Sequence, residues 1–399
     1  MDKVLLTYGW VRSSYAALRN LNQHNIPVVV SDSTSFGMSQ FSRYKKGFVK
    51  YKSHYEDEEK FINNIIKICD EEHIDLIFPS HNETEVIARN KDKFNKGLVA
   101  LIPDSEHCKI FNNKSLSYDL AEELGIPIPK RIKYTNPNTL AKKISDQNIN
   151  NTVIKLLTGN SSKGVFYAKN PKQAQHIVKE LIYKYDLEAK RFPQVEEQIY
   201  GEGYGSSVLY WHGEQIASFT HRRLREKIET GGTSTYREVA RHEGIENAAK
   251  KIFNKVGWHG LAMSEFKVCK ETGNYWFIEI NPRMWGSIPL AIQSGVEFPY
   301  LAWLCNKEGP IAAKNYYKKS NILYPFKAKW LLGEIFVFIK AILRLDFKSA
   351  ANIFKNEKVN AVDDFFWDDP FSFVGEVLAY FKSAIMKRST NASEDGMLK

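Results

Sequence analysis

The chain opens as short apolar runs alternating with amphipathic stretches. Residues 3–8 (KVLLTY) form a continuous apolar run of strand length, 12–24 repeat apolar positions at helical spacing, and Pro27 to Val30, closing at Asp32, form a second short run. The alternation continues with strand 47–51, helix 57–72, strand 74–79, helix 83–94 and strand 98–102. This order predicts a small doubly wound parallel sheet, with its ligand crevice at the carboxyl ends of the strands. Ser80, His81, Asn82 and Glu83 fall at one such end, where they read equally as a helix cap or as substrate contacts. A dinucleotide cradle would need Gly-x-Gly-x-x-Gly at the first turn. Tyr8-Gly9-Trp10-Val11-Arg12-Ser13 supplies one glycine, which excludes a nicotinamide enzyme.

From Asn113-Lys114-Ser115 a helix runs to Glu123 and stops at Gly125, with Pro127 and Pro129 marking the exit. Strand 130–134, helix 137–147 and a strand beginning Thr152-Val-Ile-Lys155 follow. The loop Thr158-Gly-Asn-Ser-Ser162-Lys163-Gly164 is small-residued and carries one Lys, a composition that folds over phosphates and equally makes a bare hairpin turn. Helix 171–185 leads to Gln194-Val-Glu196-Glu197-Gln-Ile199-Tyr-Gly-Glu202-Gly-Tyr-Gly205, read as a strand breaking into a hinge whose free backbone edges can hold an adenine. Strands 206–211 and 214–220 then form a hairpin about His212-Gly213. The basic run His221-Arg222-Arg223-Leu-Arg225-Glu-Lys227 before Gly231-Gly232 is either a solvated turn or an anion clamp.

After helix 243–256, two aromatic and aliphatic strands, 261–269 and 275–281, flank the turn Glu271-Thr272-Gly273-Asn274. Closure symmetric about Thr272 pairs Cys269 with Tyr275 and sets Glu265 opposite Glu279, with Asn281 on the same face. Two carboxylates held about 4 Å apart repel by roughly 4 kcal/mol at an effective dielectric near 20. An all-oxygen set of two Glu and an Asn suits Mg²⁺ shared with substrate phosphates. Arg283, just beyond, can neutralise a phosphoryl group in transfer. An exposed sheet face whose carboxylates pair with Lys267 or Arg283 gives the same pattern. A register slip of one residue would separate the two Glu.

Composition narrows the class. With 399 residues, 43% hydrophobic and 26% charged, the chain has room for two or three domains with proper cores. The net charge of +10 is spread along the sequence, which favours anionic small molecules over a nucleic acid. Four Cys lack metal-ligand spacing and fit a reducing compartment. No leader and no run of 18 uncharged apolar residues is found, so the expectation is a cytoplasmic protein with no transmembrane segment. Leu331, Ile335, Phe338, Ile342 and Leu345 make a helical stripe, read as packing against the body of the protein. Asp363 to Pro370 (DDFFWDDP) is an acidic-aromatic turn to which no chemistry is assigned, and the polar tail from Lys387 reads as disordered.

Lys114, Lys155, the 161–164 loop, the 196–199 hinge, Glu265 and Glu279-x-Asn281-x-Arg283, in this order behind a parallel α/β unit, resemble the ATP-grasp superfamily. Gly201-Glu-Gly-Tyr-Gly with the basic run further resembles the carbamoyl-phosphate-synthase-like carboxylate–amine ligases. The resemblance implies an α/β domain over 1–105 and an α+β ATP-grasp domain with antiparallel sheets over 106–305, its hinge near 196–201. A mostly helical extension over 306–386 and a tail over 387–399 would follow. It implies an ADP-forming ligase that makes an acyl phosphate from a small carboxylate and passes it to an amine. ATP and Mg²⁺, or Mn²⁺ in its place, would be the cofactors, and a homodimer through the first domain the assembly. Lys114, Lys155, Ser162 and Lys163 would meet ATP phosphates, Glu196, Glu197 and Ile199 the adenine, and Glu202 the ribose. Glu265, Glu279 and Asn281 would hold the metal, and Arg283 and Lys155 would act in catalysis. Arg222, Arg223, Arg225 and Glu83 are the expected substrate contacts. The rival expectations are a bicarbonate-activating carboxylase or carbamoyl-phosphate-type enzyme, and a regulatory ATP binder without turnover.

Overall fold

A computed structural model describes residues 2–159, 164–227, 232–354 and 358–385. The N-terminal unit is a parallel sheet of β1 (Val4–Leu6), β2 (Val28–Asp32), β3 (Gly47–Lys50) and β4 (Leu76–Phe78), ordered β3-β2-β1-β4. Successive residues of a strand face opposite sides, so both faces need cover. Val4, Leu6, Val28 and Val30 pack with the apolar face of helix Arg12–Gln23, while Leu5, Val29 and Ile77 pack with helix Glu58–Glu71. The expected strand 98–102 does not form. Leu98 O accepts one bond from Ile77 N, and the chain then coils through turns Leu98 N to Asn95 O, Ala100 N to Gly97 O and Ile102 N to Val99 O. Val99, Leu101 and Ile102 are nevertheless buried; a buried coil and a buried strand have the same apolar signature.

Next comes a three-stranded antiparallel sheet of β5 (Thr152–Lys155), β6 (Val165–Ala168) and β7 (Gln194–Glu197), ordered β6-β5-β7. Helices Leu140–Ser145 and Pro171–Lys184 bury Leu140, Ile144, Ala174, Val178 and Leu181 against it in a core of its own. The expected strand 130–134 shrinks to a bridge between Arg131 and Glu196, since Pro129 has no N–H with which to extend it.

The largest sheet joins β8 (Glu202–Trp211), β9 (Glu214–Glu226), β10 (Ser234–Val239), β11 (Gly260–Val268), β12 (Tyr275–Asn281), β13 (Lys327–Lys329) and β14 (Ala361–Val362), ordered β12-β11-β8-β9-β10-β13-β14. Two expectations change here. The basic run is not a turn: β9 carries it as far as Glu226, paired with β10 to that point and with β8 as far as Arg222. The glycine-rich segment is not a free hinge beyond Gly201, because β8 begins at Glu202 and is bonded to β11 and β9.

The extension supplies β13 and β14 and helices Leu331–Leu343, Phe347–Phe354 and Phe371–Ile385. Its stripe does not pack as expected: Ile335, Ile342 and Leu345 are exposed, and Leu332 and Ala341 make the buried contacts instead. The DDFFWDDP segment is a strap. Asp363 pairs with Arg12 at 2.9 Å and with Arg237; Asp364 accepts from the N–H groups of Leu331 and Leu332, both at 2.9 Å. Asp368 takes Arg19 at 3.0 Å, and Asp369 takes Tyr15 Oη at 3.1 Å and Arg43 N at 3.1 Å. Among the described residues no helix is long and apolar enough to cross a membrane. Ser162, Lys163 and the tail from 387 lie outside the described residues.

Candidate functional site

The hairpin β11–β12 reaches the expected pairing by a different route. Near the turn Val268 faces Tyr275, one step off symmetric closure, so Cys269 does not pair with Tyr275. A bulge at Ile278 then restores the register, and Glu265 lies opposite Glu279, with Met263 opposite Asn281. Period two puts Glu279 and Asn281 on one face with Glu265. Asn281 Nδ2 donates to Glu265 Oε1 at 3.1 Å.

Cations gather on this pair from three directions. Arg223 of β9 reaches across β8 to Glu265 Oε2 at 2.6 Å and holds Glu226 at 3.1 Å. Glycine in β8 makes that crossing possible. A Cβ at Gly203 would lie 2.9 Å from Arg223 Cδ, and one at Gly205 would lie 2.4 Å from His221 Cε1. Lys114 opens helix Lys114–Glu123, capped by Asn113 and tied to the end of β5 through its N–H to Leu157 O at 2.9 Å. Its Nζ lies 3.5 Å from Glu279 and donates to Gly159 O at 3.1 Å. Lys155, the last residue of β5, pairs with Glu196 at 2.6 Å and donates to Tyr118 Oη at 3.1 Å. The two Glu respond differently. Burial, only partly offset by Arg223 and reinforced by the charge of Glu279, raises the pKa of Glu265. Burial opposes ionisation of Glu279 too, but Lys114, Lys155 and Arg223 together hold its pKa below the ordinary value.

Arg283 follows β12 and is nearly buried. Its guanidinium donates to three neutral oxygens: Asn281 Oδ1 at 3.0 Å, Met284 O at 2.9 Å and Asn82 Oδ1 at 3.2 Å. Among the described residues it forms no ion pair, and burial lowers its pKa. A buried cation with only neutral partners is a ready anion site, since arginine stays charged at neutral pH.

Arg223, Glu265, Glu279, Asn281 and Arg283 form one wall of a cavity of about 290 Å³, which Lys114 and Lys155 do not line. The facing wall combines the start of helix Arg12–Gln23 (Trp10 to Ser13) with His81 at the strand end of the N-terminal sheet. Trp330, Glu376 and Tyr380 of the extension close it. The extension's residues went unnoticed in the sequence. The available signal was the clustering of four Asp among aromatics at 363–369, since acids buried among rings demand cation partners.

Other expected contacts are placed elsewhere. Alternation sends Arg222 to the face opposite Arg223, and the β9–β10 register skips Leu224, which breaks the same-face relation between Arg223 and Arg225. Arg222 pairs with Glu238 and with Glu202 at 3.1 Å, and Arg225 pairs with Glu334; only Arg223 lines the cavity. Glu202 therefore has its carboxylate committed to Arg222. Glu83 is fully buried, accepting from Thr7 Oγ1 at 2.7 Å, Ser80 N at 2.8 Å and His81 N at 3.0 Å, so it fastens strand ends and does not reach the cavity. Glu196 is taken up by Lys155 and by Gln194 at 2.8 Å. Glu197 accepts from Lys130 N at 2.9 Å and donates its own N–H to Lys130 O at 3.0 Å. Ile199 follows the end of β7, outside any strand.

The family described as "ATP-grasp in the biosynthetic pathway with Ter operon" matches residues 195–323. A putative urea carboxylase of Emericella nidulans is 23% identical over 237 residues, 56% of this chain and 19% of its own length. The chain spans about a fifth or less of the length of the curated relatives it matches. The biotin carboxylase domain dimer of the Hydrogenobacter thermophilus 2-oxoglutarate carboxylase, solved with MgADP, ADP and bicarbonate, aligns at a TM-score of 0.59 and 17% identity, over 82% of this chain and 71% of that one. Phosphoribosylglycinamide synthetase from Anaerococcus prevotii aligns at 0.58 and 13%, over 80% and 78%. Residues 195–323 thus match an ATP-grasp family, and the chain shares the fold of the biotin carboxylase domain and of phosphoribosylglycinamide synthetase.

Proposed function

We propose that the chain is an ADP-forming ligase that activates a small carboxylate with ATP and joins it to an amine. One observation carries the reading. Glu265, Glu279 and Asn281 share a face with Lys114 and Arg223 upon them, and Arg283, without an ion pair among the described residues, stands beside them on the cavity wall. The donor set fits a divalent ion: it is all oxygen, and two cations are already drawn onto the carboxylates in compensation. Among the described residues no three His, Cys, Asp or Glu gather as a cage. Two carboxylates and an amide are the sparse set that Mg²⁺ accepts when waters and phosphates complete its shell, and Mn²⁺ would suit it as well. Bound there, the ion would neutralise charge on the nucleotide phosphates.

The residues of the chain then divide the work. Lys114 and Lys155 hold phosphate oxygens, and Glu196 of β7 with Tyr118 of helix Lys114–Glu123 fixes Lys155 at the end of β5. A carboxylate oxygen of the substrate takes the γ-phosphoryl and ADP leaves. Arg283 faces the spread negative charge of that transfer and then the acyl phosphate. The amine attacks the acyl carbon, loses a proton, and expels phosphate. Arg223, the one arginine of its run on the cavity, meets the acidic substrate. Enclosure by the N-terminal helix and the extension keeps water from the acyl phosphate.

The carboxylase relatives favour a second reading, in which bicarbonate is the acid activated. Amine-dependent ADP release, measured across amino acids, dipeptides and sugar acids, tests the first reading, and bicarbonate-dependent release without an added amine would replace it with the second. Glu279→Ala should lower release at least a hundredfold while the fold persists. Tight ATP binding with no ADP from any acid or amine would overturn both.

A further inference from the structure

The extension presents an apolar surface that no other part of the described chain covers. Of 19 large hydrophobic side chains exposed among the described residues, 13 fall between Ile335 and Ile385. In helix Leu331–Leu343 the exposed positions Ile335, Ile339 and Ile342 recur at helical spacing, Leu343 closes it, and Leu345 and Phe347 continue past its end. In helix Phe371–Ile385 Phe371, Val374, Val377, Phe381 and Ile385 do the same. The opposite side of that helix carries Ser372, Gly375 and Glu376, which are buried. The two helices are neighbours, with Phe336 and Tyr380 rings 5.4 Å apart. Trp367, 88% exposed, stands four residues before Phe371.

Charge says what such a surface meets. Of seven acids described between 331 and 385, five are buried: Glu334, Asp363, Asp364, Asp369 and Glu376. Of the other two, Asp368 is bound to Arg19 at 3.0 Å, and Asp346 is exposed, its carboxylate accepting from Ser349 N at 3.0 Å. The cations turn outward: Arg344, Lys348, Lys358 and Lys382 are all exposed, and Lys340 partly so. A twofold contact with a second copy would set these cations against one another. An apolar stripe with basic residues around it and an exposed Trp matches the interface of an anionic bilayer, apolar side chains reaching the acyl boundary and cations the headgroups. Both helices are too short to span, so they would lie on the surface.

We infer that helices Leu331–Leu343 and Phe371–Ile385 dock the protein onto membranes rich in anionic lipid. The claim is independent of the ligase reading, because its test uses no turnover. The full chain is pelleted with phosphatidylcholine vesicles with and without phosphatidylserine. Pelleting is expected with the anionic vesicles and not the neutral ones. The double variant Phe371→Ser, Phe381→Ser should abolish it while the circular dichroism melt stays unchanged, since both side chains are exposed. Lys348→Gln with Lys382→Gln should weaken it about 25-fold, near fivefold for each cation. No pelleting with phosphatidylserine, equal pelleting with neutral vesicles, or pelleting unaffected by the serine variant would each overturn the inference. So would a concentration-dependent dimer that Phe381→Ser dissolves, which would assign the surface to a second copy.

Discussion

Arg223 and Glu265 form a contact whose removal should be asymmetric. Arg223→Met strands a largely buried Glu265 opposite Glu279, with no other cation paired to it among the described residues. Breaking a pair this enclosed costs about 3 kcal/mol, the low end for buried pairs because both side chains keep some solvent contact. Glu265→Gln is different. It leaves Arg223 still paired with Glu226 at 3.1 Å and removes the repulsion from Glu279. That repulsion is about 4 kcal/mol at 4 Å and a dielectric near 20, so the single neutral change should cost under about 1 kcal/mol. The double variant should then be more stable than Arg223→Met alone by about 2 kcal/mol. Urea unfolding in EDTA at pH 8, followed by far-ultraviolet circular dichroism, measures all three. Glu265 takes up a proton above the ordinary carboxylate range, so the Arg223→Met deficit should shrink at pH 5. A double variant no more stable than Arg223→Met would refute the account of how these charges balance.

Two other outcomes follow from the packing. Burial pushes the His259 pKa down to about 4, its Nε2 bonded to Ala100 O at 2.7 Å. The unfolded chain binds that proton near 6.5, so stability present above 6.5 should be lost as pH falls toward 4. His259→Asn should remove about 1–2 kcal/mol of the difference between thermal unfolding at pH 7 and pH 5. Gly375 lies so close to the strand-end loop that a Cβ would fall 2.2 Å from Gly37 O. Gly375→Ala should therefore destabilise by about 1–3 kcal/mol, although alanine alone favours a helix by about 1 kcal/mol; a raised thermal midpoint would contradict the close contact.

Much of the architecture was legible because its signals are local. Helix Glu243–Val256, with a His cap and Gly257 in the left-handed region, and strand Tyr275–Asn281 lie where periodicity put them. The opposition of Glu265 and Glu279 was readable only because the offset at the turn and the bulge at Ile278 cancel; nothing local in the sequence announces either. The arginine run misled because charge density resembles a loop, while alternation along β9 and its bulge at Leu224 distribute its members among Glu202, Glu238, Glu265 and Glu334. Residues 98–102 misled in the other direction, being apolar enough for a strand but bonded as turns. The far wall of the cavity was invisible for a simpler reason. Arg12 and Asp363 are separated by 351 positions, and no window of sequence spans that distance.

The carboxylate of Asp363 receives guanidinium groups from both Arg12 and Arg237, all three side chains withdrawn from water. During synthesis from the amino end, both arginines exist long before their counterion does. A nascent chain short of residue 363 must keep two like charges hydrated, so the first helix and the central sheet cannot settle together at that point. Completion of the pocket thus waits until translation has passed residue 363, and products cut short before it should emerge without a closed chamber.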